Sequence, residues 1–169
     1  SILKFYDIPV FYFPKFFHPD PTVDRQSGFL LPKVSSSNVL GSSISIPYFH
    51  VLSENKDFTF NPVLYSKNFQ MFQNEYRQEN KNSSLILDFG YVNDFKSSST
   101  NKKKDINHIF AKFKKNLNLE NFITSDVNLF LERVSKDTYM KIFSDNFIKN
   151  EITPTNHEVL KSGFDFFLE

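Results

Sequence analysis

An all-β fold, an antiparallel meander of strands with one apolar face, is what this sequence predicts. Three observations lead there. Apolar residues recur at every second position along most of the chain, helical periodicity is almost absent, and aromatics fall on nearly every alternating run. The 169 residues include 22 Phe and 7 Tyr but no Trp, while the excess of Lys and Asn follows as readily from AT-rich coding as from structure.

Taken in order, strands are expected at 3–12, 28–34, 39–50, 57–66, 69–78, 84–93, 107–117, 122–134 and 157–168. In the third of these Ile44, Ile46 and Tyr48 share a parity with Leu40, and Ser43 and Ser45 take the other. Phe58, Phe60 and Leu64 alternate with Asp57, Thr59 and Asn61, and Leu85, Leu87, Phe89 and Tyr91 keep the same rule. Ile109, Ala111 and Phe113 hold strand parity through the helix-like run Lys112–Lys115. Val127, Leu129 and Leu131 oppose Asp126 and Asn128, and Leu160, Phe164, Phe166 and Leu168 oppose His157, Lys161 and Asp165. Leu85, Leu87, Phe89, Leu129 and Leu131 should therefore share one face, with Asp88, Asp126 and Asn128 on the other.

Residues 13–27 stand apart. Pro14, Pro19 and Pro21 remove ladder donors and restrict the residues before them, so the stretch reads as a connector. Two units are expected, 1–27 and 28–169. The chain opens on Ser1 without Met and ends in the apolar run Phe166–Leu168, as an internal piece of a larger protein would.

Composition excludes several classes. A net charge of +1 gives no electrostatic footprint for nucleic acid, and the lack of cysteine removes disulfides and thiolate metal sites from this stretch. Apolar runs such as Phe29-Leu30-Leu31 are far shorter than the roughly 20 residues of a membrane helix. A membrane β-barrel stays open, since its alternating strands leave no hydropathy peak. The connections favour it. Counting strands after the connector, the links at 51–56, 79–83 and 118–121 are short, whereas 94–106 and 135–156 are long and polar. Both long links follow odd-numbered strands, which is the asymmetry of outer-membrane barrels with short periplasmic turns and longer external loops.

Particular residues sharpen this. Ile8-Pro9-Val10-Phe11-Tyr12-Phe13-Pro14, continuing through His18-Pro19-Asp20-Pro21 to Arg25-Gln26-Ser27-Gly28-Phe29-Leu30-Leu31-Pro32, resembles the LptD family of lipopolysaccharide-assembly proteins. There a "PVFYxPYF" strand ends a periplasmic β-jellyroll and "RRSGFLxP" opens the barrel. Ile46-Pro47-Tyr48-Phe49 is similar to the family's "LPYYW", and Met71-Phe72-Gln73-Asn74-Glu75-Tyr76-Arg77 to its "MxxNEFRY". Glu132-Arg133-Val134-Ser135-Lys136-Asp137-Thr138-Tyr139 is similar to "xRVSDDTYxxDF". Gln26 and Lys136 depart from the pattern. The resemblance implies the last strand of a β-jellyroll in 1–27 and roughly the first eight strands of a large outer-membrane β-barrel in 28–169. It implies a transport and assembly role rather than an enzyme. The cargo would be lipopolysaccharide, with an LptE-type lipoprotein plug, a periplasmic LptA-type jellyroll bridge and outer-membrane lipid as partners. The N-terminal part would lie in the periplasm.

Pro32 and Pro47 fall on the first two strands after the connector, about equally far from the link near Ser36-Ser37-Asn38. Each deletes a ladder donor. The resemblance implies a lateral gate at the seam these strands help form; the alternative is a tolerated bulge, and Pro62 reads as a bulge alone. Phe5, Val10, Phe11 and Phe13 would line a lipid path, or else an ordinary jellyroll core. His18, His50, His108 and His157 show no metal-ligand spacing, and no phosphate loop, nucleophile elbow or Cys/His pair is present. No catalytic residue, cofactor or metal is expected. Lys96 and Lys102–Lys104 read as a solvated external loop, or as contacts to lipopolysaccharide phosphates. Two other architectures share the strand pattern: a soluble β-sandwich or jellyroll lipid-binding module, and an ordinary porin-like barrel.

Overall fold

The computed structural model describes residues 2–5, 8–12, 25–96 and 103–169, with side chains at 25–96 and 104–169. It is almost entirely antiparallel β. β1 (Ile2–Phe5) and β2 (Ile8–Tyr12) form a two-stranded sheet with Ile2 opposite Tyr12 and Phe5 opposite Ile8. The expected single strand 3–12 is thus a hairpin. Alternation carries no direction, and neither Gly nor Pro stands between Phe5 and Ile8.

A second, ten-stranded sheet takes in the rest: β3 (Gly28–Phe29), β4 (Lys33–Ser37), β5 (Gly41–Ser45), β6 (Tyr48–Ser53), β7 (Lys56–Tyr65), β8 (Gln70–Asn80), β9 (Ser83–Lys96), β10 (Lys103–Asn116), β11 (Ser125–Val134) and β12 (Ser162–Leu168). From β7 to β12 every strand pairs with its sequence neighbour. β5 and β6 both pair with β7, β4 pairs with β5, and β3 pairs with β6. The two expected strands 28–34 and 39–50 are therefore each split in two, and the eight long strands of the meander keep their order. Among the described residues β4 and β12 are edges of this sheet.

Residues opposite each other on paired strands share a face, so register assigns the faces. Phe89 pairs with Ile109, Leu87 with Ala111, Leu85 with Phe113, and Phe113 with Leu129. Asp88 pairs with Phe110 and Glu75, and Lys114 with Asn128. The two predicted sets do lie on opposite faces. The first is bare and apolar, with Phe29 and Val34 more than 70% exposed and Phe89, Tyr91, Ile109 and Leu129 at 40–45%. The second carries the buried polar residues Asp57, Thr59, Asn61, Gln73, Asp88 and His108.

Over Gln73, Asp88 and His108 lies the segment between β11 and β12. Its sequence, over 135–156, reads as a long, polar external link. Instead it holds the helix α1 (Tyr139–Phe143) and a 3-10 turn (Ser144–Asn146), and it lies against the sheet with Tyr139, Met140, Phe143, Phe147 and Ile152 buried. Its apolar residues explain the difference: a polar-looking run with Tyr, Met and Phe near helical spacing has a face to hide. Phe143 meets Tyr65, Phe69 and Phe95 at 6.4, 6.4 and 5.3 Å between ring centroids, mostly edge to face. Leu40, from the β4–β5 turn, completes that cluster. β12 accordingly starts at Ser162 rather than 157, and β11 at Ser125 rather than 122. Of the link expected at 94–106, residues 94–96 and 103–106 are strand, because β9 and β10 extend past a register shift near Asp105. No helix among the described residues is long and apolar enough to cross a membrane.

One small residue lets the two layers meet. A Cβ on Gly90 would sit inside van der Waals distance of His108 Cε1 and Nδ1. His108 has no room to withdraw, being stacked on Phe110 at 4.6 Å and tilted against Tyr139 and Phe147. Gly90→Ala should therefore cost about 1–3 kcal/mol as an overpacking change, read by denaturant titration. An unchanged midpoint would show that the His108 ring is not fixed.

Candidate functional site

Two features of the second sheet have the chemistry to matter: the proline-interrupted first strands and the polar network on the covered face. In the first, β3 and β6 share a register in which Gly28 faces Phe49 and Phe29 faces Tyr48. In β4 and β5, Lys33 faces Ser45 and Val34 faces Ile44. Between these paired stretches, Leu30, Leu31 and Pro32 stand opposite Ile46 and Pro47. Three residues against two make a bulge, and it changes the parity of the strand: Phe29 and Val34 point to the bare face, while Lys33 and Ser35 point to the covered one. One bond crosses the gap, Leu30 N–H to the Pro47 carbonyl at 2.8 Å. Pro47 is buried and Pro32 exposed.

Pro62 is not a bulge. Its register to β8 is unbroken, with Asn61 opposite Gln73, Pro62 opposite Phe72 and Val63 opposite Met71. The ladder from β5 and β6 to β7 also keeps one register across Ile46 and Pro47, which places Pro62 beside that gap. A residue without a donor sits where the neighbouring strand is already unpaired, so it costs little there.

The network centres on Asp88, which is fully buried with His108. Asp88 Oδ1 accepts from His108 Nε2 at 3.0 Å, and Oδ2 accepts from Gln73 Nε2 and Asn150 Nδ2, both at 3.1 Å. With Nε2 carrying the proton, His108 Nδ1 accepts from the Tyr139 hydroxyl at 2.7 Å. Burial pushes the Tyr139 phenol well above its ordinary range and keeps it a neutral donor. Gln73 also clamps a backbone unit of the crossing segment. Its Oε1 accepts from Ile148 N–H at 2.8 Å and its Nε2 donates to the Ile148 carbonyl at 3.3 Å. Asn150 reaches Glu75 as well. A half-open cleft lined by Glu132, Arg133, Asp137, Met140, His157 and Leu160 lies elsewhere, beside β11. The Asp88 group is closed and its side chains are matched, apart from the adjoining Asn61, whose buried Oδ1 has no partner. It suits holding a segment in place better than turning over a substrate.

A third cluster pins the connector. Arg25 pairs with the buried Asp57, which Arg77 Nε also meets at 2.8 Å, and the Ser27 hydroxyl accepts from Val51 N–H at 2.8 Å. The other expected residues divide as follows. Phe5 lies on β1, and Val10 and Phe11 on β2, in the two-stranded sheet. Phe13, His18 and Lys102 lie outside the described residues. Lys96 and Lys103 face each other in register at the ends of β9 and β10, not in a free loop. No group of His, Asp or Glu side chains among the described residues could hold a metal ion.

Sequence reasoning missed the Asp88 network by treating the histidines as scatter. The available signal was Asp88 itself, a charge on a strand whose other face is continuously apolar.

No family model matches the chain. Curated proteins do. The LPS-assembly protein LptD of Idiomarina loihiensis is 27% identical over 146 residues, covering 85% of this chain and 18% of that protein. The LptD of Legionella pneumophila is 29% identical over 155 residues, with the same two coverages of 85% and 18%. The LptD of Pseudomonas aeruginosa is 37% identical over 96 residues, 56% of this chain and 10% of that protein. Along most of its length the chain is similar to a segment of LptD. It spans only 10–18% of the length of these LptD relatives. The two-faced antiparallel meander is the fold of the stretch that is similar to LptD.

Removing Asp88 leaves His108 Nε2 without its acceptor and takes one of the acceptors of Gln73 Nε2 and of Asn150 Nδ2. Asp88→Ala should cost about 3–5 kcal/mol and release residues 136–161 to protease, whereas Tyr139→Phe, which removes one hydroxyl, should cost about 1–3 kcal/mol. Equal protection of that segment in both variants would mean the network does not hold it.

Proposed function

We propose that this chain is the N-terminal part of a lipopolysaccharide-assembly barrel in the outer membrane. Residues 28–169 supply roughly its first eight strands, and 1–27 the end of a periplasmic jellyroll with its Pro-rich connector. The observation that carries this reading is the similarity to LPS-assembly proteins along 85% of the chain. The sheet supports it. Its bare face offers apolar side chains from β3 to β12, and lipid is the solvent in which such a face is stable. Its other face carries the buried polar row from Asp57 to His108, of the kind a barrel lumen holds, beside the apolar patch of Val63, Met71, Val92 and Phe110 that the crossing segment covers. The turns at 54–55 and 81–82 are tight and would be periplasmic, with the crossing segment on the outer side.

In this reading Pro32 and Pro47 weaken the first strand pair as part of a lateral gate. Phe5, Val10, Phe11 and Phe13 line the route of the acyl chains from the jellyroll. An LptA-type bridge delivers the lipid, an LptE-type lipoprotein plugs the barrel, and the role is assembly rather than catalysis.

Two outcomes test it. In the full-length protein, Phe89→Arg or Leu129→Arg on the bare face should impair membrane assembly by about 2–4 kcal/mol if the position lies near the bilayer midplane, whereas Asn128→Arg on the polar face should be tolerated. A soluble module would show no such asymmetry and would stay monodisperse without detergent. Pro32→Ala with Pro47→Ala should add up to about 0.5–1.5 kcal/mol per restored bond, slow lipopolysaccharide delivery, and leave cells permeable to large hydrophobic antibiotics at normal protein levels. Full delivery with an intact barrier would reduce the prolines to bulges.

A further inference from the structure

The crossing segment does more than fill space beneath the sheet, because its tip reaches the weakest strand. β4 pairs only with β5 among the described residues, and its outward Val34 is 75% exposed. Its stretch Lys33-Val34-Ser35-Ser36-Ser37 has one apolar side chain, so packing contributes little to holding it. The lower end of the same chain segment is already loosened by the bulge at Leu30–Pro32. Against that background the polar contacts of β4 stand out. Ser35 Oγ donates to Asn146 Oδ1 at 2.7 Å and lies 2.9 Å from Ser43 Oγ of β5. Ser43 Oγ is itself 3.4 Å from the same Asn146 oxygen. Lys33 Nζ donates to the Asp145 carbonyl at 2.6 Å.

One buried amide thus ties two neighbouring strands to a segment that is rooted at the far side of the sheet. The roots are independent of the tip. Tyr139 is held by His108, Ile148 by Gln73 and Asn150 by Asp88, all on β8 to β10. The bulge matters here, since without its extra residue Lys33 and Ser35 would point to the bare face and could not reach Asn146.

We propose that the segment 135–161 is a strut that controls the first strands: β4 leaves the sheet only when the tip at Asp145 and Asn146 releases it. The strut resists outward movement of β4 and couples it to the packing of the whole crossing segment. This rests on the lateral-gate reading of the Pro32 and Pro47 strands, and it adds the element that holds the gate shut.

The test uses the full-length protein in its membrane. Asn146→Ala should raise hydrogen exchange of the amides of 33–37 and 41–45 about tenfold while leaving 70–80 unchanged. No change in β4 and β5, or an equal rise in every strand, overturns the strut. A second variant needs no loss of stability: Ser35→Cys with Asn146→Cys, joined by a short thiol cross-linker, in a chain whose 169 residues hold no cysteine. The joined protein should lose lipopolysaccharide delivery, and each single variant treated with the reagent should keep it. Delivery at the parental rate by the joined protein overturns control by the strut. The gate reading fails differently. If Pro32→Ala with Pro47→Ala delivers normally while the joined pair is arrested, the prolines lose their role and the strut stands.

Discussion

A single buried carboxylate organises the covered face. Asp88 sits in the middle of a strand whose neighbouring residues Leu85–Val92 are otherwise apolar or glycine, and an unpaired charge there would cost several kcal/mol. Its partners come from three separate parts of the chain: His108 from β10, Gln73 from β8 and Asn150 from the segment between β11 and β12. Satisfying Asp88 therefore fixes the relation of two strands and brings the crossing segment down onto them. The small Gly90 and the ring of Phe110 are consequences of the same demand, since His108 must lie flat between them to reach the carboxylate.

The segment so placed has an apolar anchor and a polar tip. Phe143 packs among Tyr65, Phe69 and Phe95, where burial of large rings outweighs the ordering of a short helix that isolated would not form. Beyond that anchor the 3-10 turn carries Asn146 to Ser35 and Ser43. Exposed charge pairs add little to this. Lys141 lowers the pKa of Glu158 at 2.8 Å, but both side chains are more than half exposed. The anchoring is done by buried rings and by uncharged hydrogen bonds to a buried acid.

The prolines act through register as much as through missing donors. Leu30–Pro32 opposite Ile46–Pro47 is three residues against two, and the extra residue switches the face presented by β4. This gives the first strand an apolar outward lower end at Phe29 and an inward hydroxyl at Ser35. Pro62 stands beside the same gap, so three donor-less positions are concentrated in one patch.

Much of the fold was legible in the alternation alone. A strand has a side-chain period of two, so the pattern of Phe89, Tyr91 and Leu129 against Asp88 and Asn128 dictated both the element type and its faces before any coordinates. The prolines also announced where the first two strands would break, because a missing N–H is a property of the residue itself. What lay beyond reach were the facts that depend on two distant segments meeting. The reversal of the first expected strand into two is signalled in the sequence by Asp7 alone, the loop-like polarity of 135–161 hides a buried face, and the role of His108 exists only once Asp88 and Tyr139 are brought to it. Periodicity is local and survives in one dimension. The pairing of a buried charge with its donors is a contact between residues up to 62 positions apart, and only the tertiary structure could decide which they were.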